Sequence, residues 1–140
     1  MKILILCTGN SCRSQMAEGF TRALKGDIFE VYSAGIEAHG VNPRAINAMK
    51  EVGVDISDQR SNTVEELPDI TFDYVVTVCD NARENCPVFA DATHLVHVGF
   101  DDPAAAEGTE DEIMAEFRRI RDEIGRFVDG LPESLTATEK

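Results

Sequence analysis

Residues 1–16 read Met1-Lys2-Ile3-Leu4-Ile5-Leu6-Cys7-Thr8-Gly9-Asn10-Ser11-Cys12-Arg13-Ser14-Gln15-Met16, and the fold turns on how that stretch divides. From Lys2 to Leu6 the run is apolar without alternation, which marks a strand covered on both faces. It is too short for a secretory signal and passes into Thr8-Gly9-Asn10 with no small-residue cleavage site. Beyond the loop, Met16, Phe20 and Leu24 recur at helical spacing, and Gly26 supplies a stop. A buried strand, a loop carrying glycine and then a helix form the opening unit of a parallel sheet.

The rest of the chain repeats that alternation. Phe29–Ser33, Tyr74–Val78 and His94–Val98 read as three further strands. Asn42-Pro43 opens a second helix as cap and first residue, with Ile46, Met49 and Val52 expected inward and Gly53 closing it. Asn62 with Glu65 suggests a short third helix. Thr109 and Glu112 form a capping-box pattern ahead of a stripe of Ile113, Phe117, Ile120, Ile124 and Phe127. The expected architecture is a single doubly wound α/β domain, a four-stranded parallel sheet with helices on both faces. Residues 1–132 form this domain; Pro132 ends the last helix, and 133–140 are expected to be a frayed tail.

Composition narrows the functions available. The 140 residues carry 13 basic and 26 acidic side chains, a formal net charge of −13. So negative a surface repels phosphate backbones and anionic lipids, which argues against nucleic acid and membranes as partners. An anionic small molecule needs a locally positive pocket. No apolar run approaches the ~20 residues of a membrane helix. A cytoplasmic location and a monomeric state are expected, and in that compartment the four cysteines point to reactivity or metal binding before structural disulfides.

Ligands of doubly wound sheets bind outside the carboxyl ends of the strands. The segments there are Cys7 to Ser14, Cys79 to Cys86 and Asp101-Asp102-Pro103, and they hold every cysteine. In the first segment a cysteine, five residues and an arginine can wrap loop amides around a tetrahedral oxyanion. Thr8, Gly9, Asn10, Ser11, Cys12, Arg13 and Ser14 are its candidate binding residues. The helix N-terminus adds partial positive charge and Arg13 offers a bidentate pair. The same field favours a Cys7 thiolate, a nucleophile near neutral pH, which Ser14 can hydrogen-bond. Gly9 permits the tight backbone, and Asn10 tolerates a left-handed conformation.

Other residues take plainer readings. Cys12 is expected to pack beneath the loop. Four residues separate Cys7 from Cys12 and six separate Cys79 from Cys86; the second spacing exceeds the usual two to four of zinc motifs, which argues against a zinc site. His39, His94 and His97 lack ligand spacing, and His97 reads as a hydrogen-bonded strand residue.

The chain resembles the thioredoxin-coupled arsenate reductases, relatives of the low-molecular-weight protein tyrosine phosphatases. The resemblance runs from Cys7–Glu18 through Tyr32-Ser33-Ala34-Gly35-Ile36-Glu37 and His39-Gly40-Val41-Asn42-Pro43. It continues at Cys79-Asp80-Asn81-Ala82-Arg83-Glu84-Asn85-Cys86-Pro87 and Gly99-Phe100-Asp101-Asp102-Pro103. The first loop fits both groups; Cys79 with Cys86 points to the reductases. The resemblance implies arsenate as substrate, reduced to arsenite in arsenical resistance, with thioredoxin as electron donor and no bound cofactor. Cys7, Arg13, Asp102, Cys79 and Cys86 are the implied catalytic residues. Cys7 attacks arsenic while Asp102, the aspartate directly before proline, donates a proton; Cys79 and Cys86 then pass the oxidation outward as successive disulfides. On one continuous helix Cys79 and Cys86 would stand roughly 10 Å apart, so the segment must unwind for them to bond. Some relatives bind potassium at the positions of Asn10, Glu18 and Ser33, with an aspartate where this chain has Asn62. The alternative is a phosphotyrosine phosphatase using Cys7, Arg13 and Asp102, although Ala104, Ala105 and Ala106 stand where phosphatases commonly hold an aromatic residue. A redox-sensing or oxyanion-binding regulator is a third class, disfavoured by the acid and the complete thiol relay.

Overall fold

The computed structural model describes residues 1–68, 70–78 and 94–133. Four strands, β1 (Lys2–Cys7), β2 (Glu30–Gly35), β3 (Tyr74–Thr77) and β4 (His94–His97), form one sheet in the order β2-β1-β3-β4. All three pairings are parallel, with Ile5 aligned to Ser33 on one side and to Val76 on the other. The strand order reverses at β1, so the end of β1 is the topological switch point. Ile3 to Cys7 are all buried, as an unalternating apolar strand requires when both faces are covered.

Helices α1 (Arg13–Lys25), α2 (Pro43–Lys50) and α3 (Glu110–Asp129) flank the sheet. Asn42 caps α2 through its side chain, and Thr109 with Glu112 forms the full capping box at α3. Phe117, Ile120, Ile124 and Val128 of α3 are buried. Gly125 lets α3 approach α1 closely: a Cβ there would lie 3.2 Å from the Phe20 ring. Arg121, 8% exposed, donates to the Ala48 carbonyl at 3.0 Å and to Glu51 at 2.8 Å, tying α3 to the C-terminal end of α2.

Several expectations are corrected. Leu24 is 47% exposed; the apolar stripe of α1 ends at Phe20, where α3 crosses, and Leu24 lies one turn beyond. Val52 is 44% exposed because α2 stops at Lys50 with Glu51 as its cap, which leaves Val52 in the following turn. Gly53, at φ +81°, does close the helix as expected: its N–H returns to the Lys50 carbonyl at 3.0 Å and Val54 N–H to the Met49 carbonyl at 3.0 Å. The short third helix is a single 3-10 turn, Val64–Glu66, capped by Thr63 and not by Asn62. The expected tail beyond Glu133 and the Cys79–Cys86 segment lie outside the described residues.

Candidate active site

Cys7, the last residue of β1, is buried, and the chain turns there through 8–12 into α1. The direction of the peptide groups decides what this turn can hold. Every carbonyl from Thr8 to Cys12 accepts a hydrogen bond. Thr8 receives Glu37 N–H at 2.9 Å, Gly9 receives His39 N–H at 2.9 Å, and Ser11 receives Asn42 N–H at 3.1 Å. The Gln15 side chain donates to the Asn10 carbonyl at 3.1 Å, and Cys12 accepts the first helical bond, from Met16 at 2.9 Å. The amides of Gly9, Asn10, Ser11 and Cys12 have no acceptor among the described residues. Satisfied carbonyls with consecutive uncommitted N–H groups at a helix N-terminus make an anion-binding nest.

Two glycines let the segments meet. A Cβ on Gly35 would lie 2.4 Å from the Glu37 carbonyl oxygen and 2.7 Å from both the Thr8 oxygen and the Asn10 nitrogen. A Cβ on Gly9 would fall 2.5 Å from the His39 ring. Asn10 holds φ +46°, the left-handed conformation expected of it. Its amide fixes that turn: Oδ1 accepts from Asn62 N–H at 2.7 Å, while Nδ2 donates to Ser14 Oγ at 2.8 Å and Ser33 Oγ at 3.0 Å. Ser14 is buried with this bond from Asn10.

Arg13 begins α1. Its Nη1 donates to the Phe100 carbonyl at 3.1 Å, its Nη2 lies 3.7 Å from Asp102, and its buried Nε has no partner among the described residues. The structure thus separates the two neighbouring aspartates. Asp102 turns toward Arg13, with Oδ1 accepting from Ala104 N–H at 3.0 Å. Asp101 turns away to Arg119 of α3, 3.2 Å distant. The Phe100 ring meets Phe127 edge-on, at 6.2 Å between centroids, which fixes this loop to α3. Cys12 is buried beneath the loop, and desolvation, with Asp102 adding to it, pushes its thiol up to about 11; it stays protonated at neutral pH.

Of the residues expected at the site, Cys7 to Ser14 and Asp102 come together at one end of the sheet. Cys79 and Cys86 lie outside the described residues. His97 is hydrogen-bonded to Thr77 at 2.8 Å. Asn10, Glu18 and Ser33 do meet, but as a hydrogen-bond chain: Ser33 donates to Glu18, and the other Glu18 oxygen takes the Arg22 guanidinium. Because Asn10 Oδ1 is committed to Asn62, the amide presents N–H to Ser33, and potassium would face an N–H group and a guanidinium. This arrangement does not fit the ion. No group of three His, Cys, Asp or Glu suited to a metal occurs among the described residues.

Sequence reasoning missed Gly35, Gln15 and the carbonyl of Phe100. Glycine closing a strand does signal a close backbone approach, whereas a backbone acceptor leaves no mark in sequence.

The sequence pattern of the family described as low molecular weight phosphotyrosine protein phosphatase matches residues 2–140. Among curated proteins, an arsenate reductase of Halalkalibacterium halodurans is 55% identical over 132 residues, covering 94% of this chain and 95% of that one. A solved arsenate reductase in the phosphate-binding state superposes with a TM-score of 0.76 at 31% identity, covering 96% of this chain and 98% of that one. A low-molecular-weight protein tyrosine phosphatase from T. tengcongensis gives 0.75 at 27% identity over 96% and 99%. No helix among the described residues is long and apolar enough to cross a membrane.

Proposed function

Since the chain belongs to the low molecular weight phosphotyrosine protein phosphatase family, we propose that it turns this family's anion loop to the reduction of arsenate to arsenite, with thioredoxin as electron donor. The nest of free amides carries the reading, because it offers a tetrahedral oxyanion a set of donors that no cation could use. The similarity to arsenate reductases over nearly the whole length supports the reductase over the hydrolase. So do Ala104, Ala105 and Ala106, which follow Asp102-Pro103 where phosphatases of this family commonly hold an aromatic residue.

The chemistry follows from the placement. Arsenate sits on the amides of 9–12, and Arg13 binds two of its oxygens through Nε and Nη2. The Cys7 thiolate attacks arsenic(V), an As–S bond forms, and one oxygen leaves as water with a proton from Asp102. The Cys79 thiolate then attacks the Cys7 sulfur. The As–S bond breaks with its electron pair on arsenic, which leaves as arsenite, and a Cys7–Cys79 disulfide remains. Cys86 attacks Cys79 and frees Cys7, and the dithiol of thioredoxin reduces the Cys79–Cys86 disulfide by exchange. Two electrons enter from thioredoxin and two leave on arsenic. The protein works as a cytoplasmic monomer in this reading.

The test is Cys86→Ser. This variant should release one arsenite and stall as a Cys7–Cys79 disulfide, whereas wild type without thioredoxin should accumulate Cys79–Cys86. Peptide mapping reads both. Sustained turnover of Cys86→Ser with thioredoxin would refute the three-thiol relay, and arsenite formation by Cys7→Ser would refute the nucleophile.

A further inference from the structure

Beneath the anion loop six residues close a ring of hydrogen bonds. Asn10 Nδ2 donates to Ser33 Oγ, and Ser33 donates to Glu18 Oε1. Arg22 holds the other Glu18 oxygen with Nη2 and donates to Gln59 Oε1 from Nη1 at 3.0 Å. Gln59 Nε2 donates to Gln15 Oε1 at 2.7 Å, and Gln15 Nε2 returns to the Asn10 carbonyl at 3.1 Å. The ring thus begins and ends on the one non-glycine residue with left-handed backbone among the described residues. Glu18 is 7% exposed and its acidic charge is nearly out of water, so it needs a partner. Arg22 is the only cation bonded to it among the described residues, reaching in from a half-exposed position with its stem along α1.

We propose that Arg22 is a positioning residue: its guanidinium is the built-in cation of this ring, holds Asn10 in the conformation that aims the loop amides, and makes anion binding independent of monovalent cations. Glu18, Arg22, Ser33 and Gln59 line a cleft of about 550 Å3 that is open to solvent. A dissolved cation can therefore reach the ring, and what bars it is prior occupancy by the guanidinium. A neutral residue at position 22 would leave Glu18 with one hydroxyl donor and break the ring at Gln59 as well.

The proposal rests on the loop binding an oxyanion and not on arsenate turnover, so it is tested with inorganic phosphate. Dissociation constants are measured for wild type, Arg22→Gln and Arg22→Lys at equal ionic strength in potassium chloride and in tetramethylammonium chloride. Amide exchange across residues 9–13 is followed in the same samples. Wild type should bind equally in both salts. Arg22→Gln should bind about five-fold more weakly in tetramethylammonium with faster loop exchange, the size expected when one member of a coupled polar network is lost. Arg22→Lys, which keeps the charge, should stay close to wild type in both readouts. Potassium-specific tightening in wild type, an unchanged Arg22→Gln, or an Arg22→Lys as weak as Arg22→Gln would each overturn it. A protein that behaves as expected here yet reduces no arsenate would refute the functional reading alone.

Discussion

Gly35→Ala isolates the contact on which the loop geometry depends. The added methyl group would lie 2.4–2.7 Å from the Glu37 oxygen, the Thr8 oxygen and the Asn10 nitrogen, about 1 Å inside ordinary contact. All three are backbone atoms, so no side chain can swing aside. Relief requires the end of β2 to withdraw from the loop. That stretches the Glu37–Thr8 bond of 2.9 Å and the Gly35 N–H bond to the Asn62 carbonyl of 2.8 Å. Overpacking costs about 1–3 kcal/mol, and two weakened hydrogen bonds add about 1 kcal/mol each. A loss of roughly 3–5 kcal/mol should lower the melting temperature by roughly 10 °C or more in a chain of this size. Phosphate affinity should fall with it, because the displaced atoms belong to the nest. Gly40→Ala is the control: φ is +83°, and among the described residues nothing but its own chain neighbours comes within 4 Å of the added Cβ. It should cost about 1–2 kcal/mol through the backbone alone and leave phosphate binding intact. Thermal melting and phosphate titration of both variants decide the matter. A Gly35→Ala protein that melts within 3 °C of wild type (roughly 1 kcal/mol) and binds phosphate as tightly would refute the steric reasoning.

Asp102→Asn should slow single-turnover arsenate consumption by about 10²–10⁴-fold, the usual worth of a positioned general acid, and Asp101→Asn should not; equal effects would place the acid elsewhere. The Cys12 thiol, with its ionisation pushed up to about 11, should resist iodoacetamide at pH 7.5 and react faster only as the pH climbs toward that value, as read by mass spectrometry of the labelled peptide. Arg121→Met leaves the buried Ala48 carbonyl without its 3.0 Å donor. It should cost about 1–3 kcal/mol, with a lower melting temperature and unchanged phosphate binding. Weak hydrolysis of a small aryl phosphate should be detectable and should vanish in Cys7→Ser, because a loop that binds arsenate also accepts phosphate esters.

The sheet was legible because its signals are local and reinforce one another. An unalternating apolar strand, a capping box at Thr109 and the Asn42-Pro43 helix start all state their structure within a few residues. Leu24 and Val52 misled because periodicity marks a face but not where a crossing helix leaves it or where the helix ends. The anion loop was legible from Cys7, Gly9 and Arg13, whose chemistry is carried by side chains or by their lack. What surrounds it was not. The partners of the loop carbonyls come from residues 15, 16, 37, 39, 42 and 61, four of them through the backbone, and a peptide group looks the same in every sequence. The potassium expectation failed for a related reason: three correct residues do not reveal which atom of the Asn10 amide faces inward, and Asn62 settles that through its main chain.

Peptide groups cannot be exchanged by mutation, and this gives the loop a particular history. Its grip on an oxyanion is written in main-chain atoms whose carbonyls are all engaged. Selection then acts on the neighbours that fix the direction of the peptides, above all Gly35 and Asn10. Descendants of one ancestral loop can in this way acquire a different nucleophilic partner or a different acid while inheriting the same appetite for tetrahedral anions. A change of reaction costs such a lineage a few side chains; a change of anion would require a new backbone.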